Sequence, residues 1–232
     1  MKLRLPCSIS KVIFTGIFLL AMTSLRADAA VIIVALGDST TAGAPDFRSP
    51  AEIPPKGSGN PESQYAYWVM KRHPEWQVIN RGISGERSDQ ILRRFESDVL
   101  AYHPEIVIVL AGVNDLYQGH SVESIENNLK AIYEKAKQNN IKILTCTVLP
   151  YNFSSEEIKG RMKQLNDWIL KTAQAEKFGF CDTYKALENP KSPGALLSSR
   201  DGLHPDKESY QKMGEAIGVA LESMSSSAAK NL

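Results

Sequence analysis

The sequence predicts an α/β domain in which a parallel sheet carries helices on both faces. Short apolar runs rich in β-branched residues alternate about five times with longer segments that have helical apolar spacing. No internal repeat or interdomain linker interrupts this alternation. The chain has 232 residues, of which 43% are hydrophobic and 23% charged. This length and composition suit one such domain better than two.

The first predicted strand is the most informative stretch of the chain. Six apolar residues, 31–36, end at Gly37 and are followed by Asp38 and Ser39. Such a run is typical of a strand that is buried on both faces. Because parallel strands point their carboxyl ends toward the ligand crevice, Ser39 stands where a nucleophile would be useful. The alternative is that Ser39 only caps the helix that follows.

The other elements follow from the same patterns. Four further apolar runs predict strands over residues 76–80, 105–110, 141–149 and 178–182. Apolar residues at helical spacing predict five helices. The first covers residues 64–73, and the next two begin after Ser88 and after Ser121. A fourth begins at a capping box of Ser154 and Glu157, and the last begins at Pro205.

The segment over residues 44–62 contains five prolines and two glycines. This density of helix and strand breakers predicts irregular structure. Long irregular loops in compact domains are usually functional or disordered. We therefore keep two expectations, a wall of the substrate site or a mobile surface excursion.

Residues 1–29 have the pattern of a signal peptide. A basic start between Lys2 and Lys11 precedes an uncharged, mostly apolar run over residues 12–25. The sequence Ala27-Asp28-Ala29 then supplies the small-x-small pattern that signal peptidase recognises. The apolar run is short for a transmembrane helix. An uncleaved membrane anchor is the alternative.

Cleavage after Ala29 would leave one domain over residues 30–224 and a flexible tail over residues 225–232. The protein would then be periplasmic or secreted, without a stable membrane anchor. The net charge is only +1 and no basic block is interleaved with aromatics, so nucleic acid is not an expected partner. Cys146 and Cys181 lie in apolar runs and are expected to be buried and free, although an oxidising compartment would permit a disulfide.

Polar clusters follow three of the predicted strands, and a fourth precedes the last helix. They are Gly37 to Ser39, Gly82 to Gly85, Gly112 to Asp115, and Asp201 to Pro205. In a parallel sheet the first three share one edge, and the fourth would have to fold back to it. Each cluster alone is an ordinary turn signal, but together they predict a site.

The residue types in these clusters suit acyl transfer. The hydroxyl of Ser39 needs a base within hydrogen-bond reach, and His204 is a suitable one. Asp201 precedes His204 by three residues and could fix the tautomer of the imidazole. A developing oxyanion would need donors, which Gly85 N–H, the Asn114 side chain and Ser39 N–H could supply.

Two other aspartates compete for the role of the supporting acid. Asp38 is adjacent to Ser39, and Asp115 is adjacent to Asn114. Adjacent side chains leaving a strand point to opposite faces, so we expect Asp38 to hold its own turn. The same reasoning applies to Asp115.

Together these clusters resemble the four sequence blocks of the SGNH (GDSL-type) hydrolases. The resemblance implies a flavodoxin-like three-layer α/β/α sandwich with strand order 2-1-3-4-5. It implies Ser39, Asp201 and His204 as the catalytic residues, Ser39, Gly85 and Asn114 as the oxyanion hole, and no metal or cofactor. One departure is Thr40, where the family usually has leucine. Thr41 replaces the second glycine of the Gly-x-Ser-x-Gly elbow, which argues against an ordinary α/β-hydrolase.

The expected activity is that of a serine esterase acting on short-chain acyl or acetyl esters through an acyl-enzyme. Alternatives with the same site are a carbohydrate O-acetylesterase, a lysophospholipase and a thioesterase, and the ester partner could be a small molecule or a polysaccharide. Tyr117, Tyr151 and Phe153 could stack on sugar rings or line an acyl pocket.

A non-catalytic binding protein on the same fold is a further alternative. A nucleotide-binding domain lacks support, because neither GxGxxG nor a Walker lysine is present. The oligomeric state is left open.

Overall fold

The computed structural model describes residues 30–229, with side chains described through residue 224. The strands in chain order are β1 (Val31–Gly37), β2 (Phe47–Arg48), β3 (Ser58–Gly59), β4 (Trp76–Gly82), β5 (Ile106–Leu110), β6 (Lys142–Cys146), β7 (Gly179–Cys181), β8 (Glu188–Asn189) and β9 (Ser192–Leu196). The helices are α1 (Ser39–Ala42), α2 (Tyr65–Arg72), α3 (Ser88–Arg93), α4 (Phe95–Asp98), α5 (Val113–Tyr117), α6 (Val122–Gln138), α7 (Glu156–Glu176), α8 (Thr183–Leu187) and α9 (Lys207–Ala229).

The main sheet contains five strands in the order β4-β1-β5-β6-β7, and all neighbours are parallel. When only these strands are counted along the chain, the order is 2-1-3-4-5, which confirms the prediction. Gly37 at the end of β1 pairs with Gly82 on one side and Leu110 on the other. Because β1, β4 and β5 end level with one another, the loops that follow them emerge side by side.

Alternation along β1 divides the core into two layers. Ile33 and Ala35 pack on the face that α2 and α9 cover, whereas Val34 and Leu36 pack on the face of α3, α6 and α7. Both clusters contain fully buried aliphatic side chains from the sheet and from the helices. The fold is therefore the predicted three-layer sandwich, and β1 contributes side chains to the core on both faces of the sheet.

Two predicted boundaries differ from the structure, one at the end of β6 and one at the start of α7. The strand predicted over residues 141–149 ends at Cys146, because the backbone of Val148 bonds to the Asn166 side chain and not to a neighbouring strand. The N-cap of α7 is Ser155, whose Oγ accepts from the N–H of Ile158 at 3.3 Å. Ser154 instead donates its hydroxyl to a backbone carbonyl.

Helix α9 continues to Ala229, beyond the predicted end of the domain at residue 224. The mobility expected for residues 225–232 stays a prediction, and so does the signal peptide, because residues 1–29 lie outside the described part of the chain. Within residues 30–229 we find no helix that combines the length and the apolar character needed to cross a bilayer.

Cys146 and Cys181 are register partners on β6 and β7, and both thiols are buried and free.

Candidate active site

Ser39 is the first residue of α1 and lies at the carboxyl end of β1. The short helix sits tightly against the sheet edge. A Cβ on Gly37 would lie 2.2 Å from Thr41 Oγ1, and a Cβ on Gly82 would lie 2.1 Å from the backbone nitrogen of Ala42. Glycine is therefore required at both paired positions to let α1 approach the sheet.

Side chains hold both ends of α1. Asp38 caps its start, because one carboxylate oxygen accepts from Thr40 N at 2.9 Å and from Thr40 Oγ1 at 2.8 Å. Asn80 on β4 holds its end by donating to the carbonyl oxygens of Thr41 at 2.9 Å and Ala42 at 3.1 Å. Asp38 therefore holds its own turn, as predicted, and Ser39 is presented from a fixed backbone.

The structure brings Ser39, His204 and Asp201 into one hydrogen-bonded chain. His204 Nε2 lies 2.9 Å from Ser39 Oγ, and His204 Nδ1 lies 2.7 Å from Asp201 Oδ2. Because a carboxylate can only accept, it favours the tautomer with hydrogen on Nδ1. Nε2 is then free to accept the hydroxyl proton of Ser39. This is the geometry that a serine nucleophile and its base require.

The two aspartates near His204 have opposite pKa shifts. Burial raises the pKa of Asp38 to about 6, although the hydrogen bonds from Thr40 and the nearby His204 partly offset this rise. Partial burial also raises the pKa of Asp201. However, the hydrogen bond with the His204 side chain and those from two backbone N–H groups outweigh that effect, so its pKa lies well below the usual range. Asp201 is thus the carboxylate that stays ionised beside the imidazole.

The loop that carries Asp201 is tightly turned. The second oxygen of Asp201 accepts from the N–H groups of Leu203 at 2.9 Å and His204 at 2.8 Å. Gly202 has a φ of +74°, and a Cβ there would lie 2.4 Å from the ring of Phe153. One carboxylate therefore both organises the loop backbone and orients the imidazole.

The predicted oxyanion donors lie beside this chain. Gly85 has a φ of +79° and open space where a Cβ would be, so its backbone is accessible. Asn114 near the start of α5 donates one amide hydrogen to the carbonyl oxygen of Glu86 at 2.9 Å. A second amide hydrogen remains for a ligand. Asp115 is engaged elsewhere, since its oxygens accept from Ser88 N at 2.8 Å and Ser88 Oγ at 2.7 Å.

A cavity of about 250 Å³ joins these groups. Its lining includes Ser39, Gly85, Asn114 and His204. Apolar atoms dominate the remaining wall, which is formed by Val113, Tyr117, Tyr151 and Leu203 among others. A larger groove of about 670 Å³ beside α7 and β9 contains none of the predicted site residues. Among the described residues, no group of three or more His, Cys, Asp or Glu side chains could hold a metal ion.

The segment over residues 44–62 contributes little to the wall of the cavity, and the mobility expected as the alternative stays a prediction. Only Ala44 from this segment lines the cavity, and the segment contains the β2–β3 pair, which the sequence did not predict. Ser49 Oγ donates to the carbonyl oxygen of Gly82 at 2.5 Å, and Glu52 accepts from the N–H of Ser84 at 3.0 Å. The segment thus supports the Gly85 loop from behind. Sequence reasoning missed Ser49 and Glu52, because their partners lie more than thirty residues away.

Comparison with known proteins gives consistent matches. The model of the GDSL-like lipase/acylhydrolase family matches residues 35–212. The Escherichia coli thioesterase 1/protease 1/lysophospholipase L1 is 31% identical over 139 residues, which cover 58% of this chain and 59% of that protein. The chain therefore spans less than two thirds of this relative.

Two further matches come from other bacteria. An acetylxylan esterase from Geobacillus stearothermophilus is 24% identical over 157 residues, covering 61% of this chain and 70% of that protein. The solved structure of a GDSL-like lipase from Bacteroides thetaiotaomicron matches with a TM-score of 0.66 and 28% identity, covering 83% of this chain and 88% of that chain.

Proposed function

Because the chain belongs to the GDSL-like lipase/acylhydrolase family, we propose that it hydrolyses carboxylic esters with Ser39 as the nucleophile. The family match and the named relatives support an ester-hydrolysing enzyme. The observation that carries the assignment of residues is the hydrogen-bonded chain from Ser39 Oγ through His204 to Asp201.

In the acylation step, Ser39 Oγ attacks the acyl carbonyl carbon while His204 Nε2 takes the hydroxyl proton. The carbonyl oxygen becomes an oxyanion and accepts hydrogen bonds from Ser39 N–H, Gly85 N–H and the Asn114 amide. Ser39 N–H is available because the first N–H groups of a helix have no partner within it. His204 then gives its proton to the leaving alkoxide as the ester C–O bond breaks.

In the deacylation step, water replaces the alcohol. His204 takes a proton from the water, whose oxygen attacks the acyl carbon of the Ser39 ester. The second tetrahedral intermediate uses the same oxyanion donors. Its collapse returns the proton to Ser39 Oγ and releases the carboxylic acid. Asp201 stays ionised throughout and stabilises the imidazolium that forms in each step.

The cavity favours a short acyl group. Its volume of about 250 Å³ is small for a ligand pocket, and its walls are largely apolar. We therefore propose acetyl to butyryl esters as the preferred substrates. A carbohydrate acetate is the second candidate, because Tyr117 is 65% exposed and Phe153 is 75% exposed near the site. Aromatic rings in such positions could stack on sugars, and one relative is named an acetylxylan esterase.

A panel of esters tests this proposal. We expect the purified protein to hydrolyse p-nitrophenyl acetate and butyrate, with kcat/KM falling at octanoate. Ser39→Ala should lower kcat by roughly 10⁶-fold, by analogy with another triad enzyme. Ser192→Ala, which removes an exposed hydroxyl on β9, is the matched control and should retain wild-type turnover. Undiminished hydrolysis by Ser39→Ala would overturn the assignment.

The same panel separates the two substrate classes. Acetylated xylo-oligosaccharide and a long-chain acyl thioester are added beside the chromogenic esters. A kcat/KM for the sugar acetate well above that for p-nitrophenyl acetate would favour the carbohydrate candidate. We expect the long-chain thioester to be the poorest substrate, because the cavity is too small for its acyl chain.

We also propose that the protein is exported, on the basis of the basic start and apolar run within residues 1–29. Intact mass spectrometry of protein exported by a bacterial host should show a chain that begins at Ala30. A chain that retains residues 1–29 in the membrane fraction would contradict this proposal.

A further inference from the structure

Arg94 lies between α3 and α4, and its side chain is 12% exposed. Its guanidinium Nη2 donates to the carbonyl oxygen of Gly37 at 2.8 Å, and Nη1 donates to that of Arg81 at 2.7 Å. Nε donates to the Glu86 carboxylate at 2.6 Å, and Nη1 also contacts Asp98 at 2.5 Å. One side chain therefore ties together the end of β1, the end of β4 and the loop that contains Gly85.

Two of these contacts, with Gly37 and with Glu86, lie close in the chain to a proposed oxyanion donor. Gly37 precedes Asp38 and Ser39, and its carbonyl oxygen also accepts from the N–H of Ile83 at 3.1 Å. Glu86 follows Gly85 directly, and its backbone carbonyl is the acceptor that holds the Asn114 amide at 2.9 Å. Arg94 itself is not among the residues that line the cavity.

We propose that Arg94 is the positioning residue of the oxyanion hole. It acts through Gly37 on Ser39 and through Glu86 on Gly85 and Asn114, without touching the substrate. This inference rests on the proposed esterase function. An arginine suits the role because its rigid fork can donate to several acceptors in a fixed geometry, whereas the point charge of lysine cannot.

The inference predicts a particular kinetic pattern. Oxyanion donors contribute mainly in the transition state, so a misplaced donor lowers kcat and leaves KM nearly unchanged. Displacements of about 1 Å can cost on the order of 10²-fold in rate. We therefore expect Arg94→Gln to lower kcat by roughly 10- to 100-fold while KM changes by less than about threefold.

A double-mutant cycle distinguishes positioning from simple destabilisation. If Arg94 acts in part through the Glu86 carbonyl on Asn114, the variant Arg94→Gln/Asn114→Ala should lose less turnover than the product of the two single losses. Residues that act independently would instead give losses that multiply. The readout is kcat on p-nitrophenyl acetate for the wild type, the two single variants and the double variant.

Arg81 provides a matched control. It is 16% exposed and donates to the same Asp98 at 2.6 Å, but its guanidinium contacts neither Gly37 nor Glu86. Arg81→Gln should also lower the melting temperature, because it removes an ion pair with Asp98, while kcat stays near the wild-type value. Equal losses of kcat in the two arginine variants would overturn the inference.

Other outcomes are equally decisive. Wild-type kcat in a folded Arg94→Gln variant, or losses that multiply with Asn114→Ala, would overturn the positioning role and leave the esterase proposal standing. Full activity of Ser39→Ala would instead overturn the esterase proposal itself. If Arg94→Gln does not fold, the same cycle is run with Arg94→Lys, which keeps a charge beside Glu86 and Asp98 and should lose kcat in the same non-additive way.

Discussion

The two halves of the candidate site are built differently. The loops after β1, β4 and β5 are fixed by buried contacts, such as Asn80 on the end of α1 and Asp115 on the start of α3. The loop that carries Asp201 and His204 is more exposed, and the Asp201 side chain is 36% accessible. This difference indicates that Ser39 and Asn114 lie on segments held by buried contacts, as electrostatic preorganisation requires, although the Gly85 loop is itself exposed.

The comparison extends to the two carboxylates nearest the base. Asp38 is 1% exposed, and its Oδ2 has no hydrogen-bond partner in the described part of the chain. Asp201 uses both oxygens, one on the imidazole and one on the backbone of its own loop. Proximity to Ser39 in the sequence would favour Asp38 as the acid that supports His204, but the hydrogen bond to the imidazole favours Asp201. Both aspartates are close in sequence to a catalytic residue, but of the two it is Asp201 that is hydrogen-bonded to the imidazole.

The largest difference between the halves should appear when the three aspartates are replaced. We expect Asp201→Asn to lower kcat by up to roughly 10⁴-fold, because the amide would stabilise the wrong imidazole tautomer. Asp38→Asn and Asp115→Asn should lose much less. The measurement is kcat on one ester, with circular dichroism to establish folding. Near wild-type turnover of Asp201→Asn beside a strong loss in a folded Asp38→Asn or Asp115→Asn would reverse the assignment.

A smaller effect is expected on the oxyanion side. Asn114→Ala removes one donor from a constrained backbone, so kcat should fall by roughly 10²–10³-fold with little change in KM. Binding of a carboxylate product analogue should stay unchanged, because the donor matters most in the transition state. An equal loss in product binding would show that Asn114 holds the ground state instead.

The smallest effect concerns stability and pH. Because burial raises the pKa of Asp38 from 3.8 to about 6, its stabilising contribution is fully present below about pH 4 and is lost as the pH rises through 6. The full shift corresponds to roughly 3 kcal/mol. Denaturant unfolding at pH 4 and pH 7 should therefore show a stability difference between wild type and Asp38→Asn that favours the wild type more at pH 4. A difference that is independent of pH would contradict the raised pKa.

The contribution of Asp201 to stability should change with pH in the opposite direction. Its pKa is lowered in the folded protein, so its contribution is present above the unfolded value and is lost as the pH falls through the folded value. This loss lies below the window in which Asp38 titrates. The comparison of wild type with Asp38→Asn between pH 4 and 7 is therefore little affected by Asp201.

Much of the fold and of the candidate site could be predicted from local sequence. An apolar run that ends at Gly37-Asp38-Ser39 encodes both a buried strand and the polar cluster at its end, and Asp201 and His204 share one turn. What could not be predicted depends on distant partners. Arg94 reaches Gly37 across 57 residues, and Ser49 reaches Gly82 across 33. The early end of β6 depends on Asn166 of α7, which no pattern within the strand reveals.

The most direct test of the central claim is to label the purified protein with a fluorophosphonate and to locate the adduct by tandem mass spectrometry. This probe reports an activated serine without requiring the natural substrate. We predict a single adduct on Ser39, and a much slower reaction in His204→Ala, because the base that activates the hydroxyl is then missing. An adduct on a different serine, together with retained ester hydrolysis by Ser39→Ala, would contradict the assignment of Ser39 as the nucleophile.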